Sequence, residues 1–132
     1  MTQQQMTAEQ VKAAAGKPKG WSSRARGRKK PGEMNRTERE YAAHLDGQKL
    51  LGQVEWWAFE GVKFRLADNT FYTPDFVVML AGGIIQVHEV KGHWEDDARV
   101  KIKVAASMFP FQFVAMKKVA KRDGGGWSVE EF

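Results

Sequence analysis

The sequence predicts an α/β domain with a mixed central β-sheet flanked by helices, its elements running in the order α-β-β-β-α-β. Three observations carry that reading. Apolar residues follow the helical period after Asn35 and again after Glu95. They follow a period of two in the segments between, and a last short apolar run, FQFVAM, follows Pro110. Antiparallel strands joined by short turns, then a helix, then one more strand make the sheet mixed.

Taken in order, residues 1–33 read as a basic, disordered tail, with at most a short helix at TAEQVKAAA, where Thr7 and Gln10 form a weak capping box. The run GKPKGWSSRARGRKKPG then breaks all periodicity. The folded domain is expected over residues 34–120. In NRTEREYAAHLDGQKLLG, Asn35 can cap a helix, Tyr41 and Leu45 lie one turn apart, and Gly52 supplies a stop. VEWWAFEG and VKFRLA read as extended, DNT as a turn, and FYTPDFVVML as one strand with a proline near its start. Ala81-Gly82-Gly83 turns the chain into IIQVHEVK, making that pair a hairpin. Beyond Lys91-Gly92, Ala98, Ile102, Ala105 and Phe109 define a helical face, and Glu95, Asp96 and Asp97 open that helix at its positive dipole end. Residues 121–132, with Gly124-Gly125-Gly126, read as a loose C-terminal tail.

Composition narrows the function classes. A chain of 132 residues with 42% hydrophobic content is one domain able to bury a core. It has no run near the roughly eighteen apolar residues of a membrane span, and MTQQQMTAEQ lacks the apolar centre of a secretory signal, so a cytoplasmic location is expected. Without cysteine there are no disulfides and no thiolate metal sites, which leaves oxygen and imidazole ligands. Net charge is +5, and Lys12, Lys17, Lys19, Arg24, Arg26, Arg28, Lys29 and Lys30 form an acid-free block that includes Trp21. Such a block suits phosphate binding through counterion release, with base stacking on the tryptophan, and favours nucleic acid over membrane because no amphipathic face accompanies it.

The chemistry is expected where an apolar strand ends in charge. Ile85, Val87, Glu89 and Lys91 share one strand face, while Ile84, Gln86, His88 and Val90 share the other. Asp75 lies on the hairpin neighbour and can approach both charged groups. Two carboxylates at that spacing make a hard-oxygen site for magnesium, with the Val90 carbonyl as a further ligand. Such an ion polarises a phosphodiester oxygen and acidifies a bound water, and Lys91 then stands beside the attacked phosphorus. The alternative is a salt-bridge network of Asp75, Glu89 and Lys91 at a sheet edge, in a non-catalytic basic nucleic-acid-binding protein.

Pro74-Asp75 followed by Glu89-Val90-Lys91 resembles the PD-(D/E)XK nuclease superfamily. The longer strings YTPDF and EVKGHWEDDARVK are similar to its phage endonuclease I-type Holliday junction resolvases. The resemblance spans about residues 35–115. It implies a restriction-endonuclease-like core, catalytic Asp75, Glu89 and Lys91, a Mg2+ or Mn2+ cofactor, and a family acid in the first helix that falls on Glu38. It also implies a branched DNA substrate such as a four-way junction, host-cell cytoplasm for a phage-encoded protein, and a homodimer whose protomers exchange a segment. Glu38 also stands where a capping box needs a glutamate, and Glu40 competes with it on the same turn. Against the family pattern, the basic tail is longer and the chain stops sooner after FQFVAM. The substrate therefore stays open between branched DNA and the targets of a sequence-tolerant nicking or repair nuclease. Arg99, Lys101 and Lys103, with Arg24, Arg26, Arg28, Lys29 and Lys30, are the expected phosphate contacts. His44, His88 and His93 lack helical ligand spacing, so histidine metal binding is not expected. His93 is read as an exposed loop residue that lies near enough to Lys91 to touch a phosphate.

Overall fold

The computed structural model describes residues 32–92 and 96–132. Helix α1 (Arg36–Leu50) starts at Asn35, whose extended backbone and side chain form a full capping box with Glu38. The Asn35 side-chain oxygen accepts the Glu38 N–H at 2.8 Å, and the Glu38 carboxylate accepts the Asn35 N–H at 2.9 Å. The box satisfies donors that the first turn of any helix leaves unpaired. Tyr41, Ala42 and Leu45 form the helix's buried face, in the place the sequence spacing predicts.

Seven strands follow: β1 (Val54–Phe59), β2 (Phe64–Ala67), β3 (Thr70–Tyr72), β4 (Phe76–Leu80), β5 (Ile85–Lys91), β6 (Gln112–Lys118) and β7 (Trp127–Glu131). Helix α2 (Asp96–Met108) connects β5 to β6. Among the described residues, five strands form one sheet in the order β1-β4-β5-β6-β7, while β2 and β3 form a second, two-stranded sheet. In the large sheet β5 and β6 run parallel and the other neighbours antiparallel. The parallel pair needs a crossover, and α2 is that crossover. Among the described residues the chain is therefore α/β with a mixed five-stranded sheet and two helices, as the sequence predicts at that level.

The sheet separates two cores. Tyr41 and Leu45 of α1 pack with Phe76, Val78, Val90, Val114 and Met116 on one face. Ile102 and Ala105 of α2 pack with Phe64, Tyr72, Val87 and Phe113 on the other. Fully burying one ring such as Phe76 is worth about 2–3 kcal/mol, so these clusters fix the register of the strands between them. Along β5 the alternation sends Val87 to the α2 side and Val90 to the α1 side, and the charged end of the strand inherits that geometry.

Two predicted elements differ. FYTPDFVVML is two strands, not one: β3 ends at Tyr72 and β4 begins at Phe76. Pro74 offers no N–H to a ladder, and Asp75 spends its side chain on the neighbouring strand rather than continuing the pleat. The C-terminal tail expected over residues 121–132 is ordered into the sheet, because Lys121–Asp123 form a turn of 3-10 helix and β7 pairs antiparallel with β6. Gly124, Gly125 and Gly126 all have positive φ (110°, 68° and 76°), the left-handed region where glycine carries no steric penalty. The glycines reverse the chain instead of ending it. Trp127 then packs against the α1 core.

Candidate functional site

The break between β3 and β4 builds the site. At Asp75 the chain leaves the small sheet for the large one, and the Asp75 Oδ2 accepts the Val90 N–H at 2.8 Å. That bond anchors the carboxyl to the end of β5 beside Glu89. Glu89 is 6% exposed, and its Oε2 accepts the Tyr72 hydroxyl at 2.6 Å and the Asp75 N–H at 3.4 Å. Its Oε1 meets the Lys91 Nζ at 3.2 Å. Asp75, Glu89 and Lys91 thus occupy one end of the β4–β5 pair, as the period of two predicts.

Glu38 lies buried on the α1 side. Its carboxylate is engaged by the Asn35 backbone N–H and, at 3.0 Å, by the Asn35 side-chain amide, yet its charge still acts on Asp75. Glu40, the competing acid on the same turn, instead pairs with Lys118 and Arg36. Of the two, Glu38 is the one whose charge acts on Asp75.

Electrostatics mark Asp75. Burial first, then the Glu89 charge and that of Glu38, raise its pKa from 3.8 to about 7, against the opposing pull of the Val90 N–H and Lys91. The charges of two acids therefore act on Asp75 beside the Lys91 ammonium. Among the described residues no three His, Asp or Glu side chains stand at coordinating distance of one point. Asp75 and Glu89 nonetheless form a hard-oxygen pair whose mutual repulsion a divalent cation would relieve, so the donor set suits magnesium or manganese. Val90 reaches the site through its N–H, which holds Asp75.

The three basic residues of α2 divide. Lys101 lines a cavity of about 290 Å³ with Phe71, Tyr72, Thr73 and Glu89, and so faces the site. Arg99 and Lys103 line another pocket with Glu130, Glu131 and Phe132, where Arg99 pairs with Glu130. Arg24, Arg26, Arg28, Lys29, Lys30 and His93 lie outside the described residues.

Sequence reasoning missed Tyr72. It stands in YTPDF two residues before the motif proline, but its partner is seventeen residues away on a different sheet, and no spacing rule connects them. On the opposite face, His88 turns from Glu89 as predicted. Its Nε2 donates to Gln86 Oε1 (2.8 Å) and its Nδ1 accepts the Tyr41 hydroxyl (2.5 Å). Burial drives the His88 pKa down to about 4, and this neutral histidine is a buried strut between α1 and β5. Trp57 packs against the α1 core with its indole N–H on Asp46 (2.9 Å), while Trp56 is exposed.

No family model, no curated protein and no solved structure matches this chain.

Proposed function

We propose that this protein is a metal-dependent, structure-selective DNA endonuclease of the PD-(D/E)XK type, with a restriction-endonuclease-like core, that hydrolyses phosphodiester bonds in branched DNA as a homodimer. The observation that carries the proposal is the meeting of Asp75, Glu89 and Lys91 at one end of two paired strands, with the Lys91 Nζ 3.2 Å from Glu89 and the Glu38 charge acting on Asp75. A Mg2+ or Mn2+ ion held there, when bound, supplies a polarised phosphoryl oxygen and a more acidic water.

The chain's own residues do the rest. Asp75 and Glu89 would hold the cation, with the Val90 carbonyl and Glu38 as further candidate donors. Lys91, with its side chain 28% exposed, can turn from Glu89 toward a phosphate oxygen and stabilise charge that develops there. Lys101, across the same cavity, suits a neighbouring phosphate, and a contact of that kind positions DNA without reading sequence. Contacts of that kind favour recognition of DNA by shape over recognition of a base sequence.

Replacing Lys91 tests the assignment. Lys91→Ala is expected to leave DNA affinity largely intact while lowering turnover by about a hundredfold or more, measured by filter binding and by single-turnover cleavage with Mg2+. Normal cutting by Lys91→Ala would remove that residue from the mechanism. Binding without cutting by the wild-type chain would favour a passive nucleic-acid binder.

A further inference from the structure

Tyr72 ends β3 and belongs to the two-stranded sheet, yet its hydroxyl reaches a carboxylate of the five-stranded one. Its ring stacks on Phe64 at 6.4 Å and 21°, within the α2 core, so the phenol has little freedom to swing away. Tyr72 and Glu89 are 5% and 6% exposed. A phenol keeps its proton at neutral pH, so the hydroxyl donates and the Glu89 carboxylate accepts.

The two oxygens of Glu89 are consequently unequal. Oε2 accepts from Tyr72 at 2.6 Å and from the Asp75 N–H at 3.4 Å, whereas Oε1 faces Lys91 at 3.2 Å. We propose that Tyr72 is a positioning residue which, by holding Oε2, presents Oε1 of Glu89 to the divalent cation and keeps the carboxylate from turning both oxygens onto Lys91. The proposal rests on the nuclease reading and adds to it the device that orients the ligand. Hydrogen-bond partners of this kind commonly govern metal affinity by about ten- to a hundredfold.

Tyr72→Phe removes only the hydroxyl and keeps the ring on Phe64. The matched control is Tyr41→Phe, which removes the other buried phenol, the one bonded to His88 on the opposite face. Mn2+ binding by calorimetry to the full chain is expected to weaken at least about tenfold in Tyr72→Phe and to stay unchanged in Tyr41→Phe. At saturating Mn2+, Tyr72→Phe is expected to lower kcat on a four-way junction and leave KM for DNA unchanged.

A second readout keeps the Tyr72 hydroxyl in place. The chain has only two tyrosines, so 3-fluorotyrosine incorporated into Tyr41→Phe reports Tyr72 alone. Its fluorine resonance is expected to move on Mg2+ addition, and not to move when Glu89→Ala is added. Equal Mn2+ affinity in wild type and Tyr72→Phe, or a fluorine resonance indifferent to Mg2+ in a protein that binds it, overturns the role of Tyr72 and leaves the nuclease reading standing. A wild-type chain that binds no Mn2+ overturns both.

Discussion

At the residue scale the proposed chemistry turns on Asp75, and its protonation gives a prediction with a definite sign. Its folded pKa, about 7, lies above the ordinary 3.8, so between those values the folded state holds a proton that the unfolded state has lost. Stability from this group is full below the ordinary value and declines as pH rises through 7. Asp75→Asn is therefore expected to be more stable than wild type at pH 8 and to match it more nearly at pH 4, measured by urea denaturation across that range. Added Mg2+ should narrow the gap at pH 8 by stabilising wild type alone, and a variant less stable than wild type at pH 8 would contradict the electrostatic account. Asp75, Glu89 and Lys91 were legible in the sequence because strand periodicity alone places Glu89 and Lys91 on one face and the hairpin brings Asp75 to them. Tyr72 was not, because its contact joins two sheets whose relative placement no local pattern records. Glu38 and Glu40 were indistinguishable by spacing. Burial of the first and the ion pair of the second with Lys118, far away in sequence, separate them.

Elements show where local rules are sufficient and where they fail. Helix α1, its cap and the apolar face of α2 follow from side-chain spacing, and α2 ends at Met108, two residues before Pro110. The reading failed at Gly124-Gly125-Gly126, since a glycine run looks the same whether it frees a chain end or makes the tight reversal into another strand. Trp127 decides between these, because it packs edge-on against Tyr41 with ring centroids 4.9 Å apart. Trp127→Ala is expected to cost about 2–3 kcal/mol in chemical denaturation, whereas Val129→Ala on the exposed side of β7 should cost no more than about 0.5 kcal/mol. Equal, small effects would mean that β7 adds nothing to the core.

For the whole molecule, an α/β sheet is a scaffold shared by many activities, so function rests on what the β3–β4 break and the end of β5 bring together. Under the proposed function, the basic block from Lys12 to Lys30 would bear on affinity and not on chemistry. Deleting residues 1–33 is expected to weaken DNA binding and flatten the dependence of log affinity on log salt, by roughly 0.9 for each phosphate that the block neutralises. An unchanged slope would show that the block does not touch the backbone. Junction cleavage tests the central claim most directly: an immobile four-way junction beside a linear duplex of the same sequence, with Mg2+, Mn2+ or EDTA, for wild type and Glu89→Ala. Metal-dependent cutting of the junction but not the duplex, lost in Glu89→Ala, is the predicted result. Equal cutting of both DNAs would contradict selectivity for branches, and no cutting in either metal would contradict the nuclease itself.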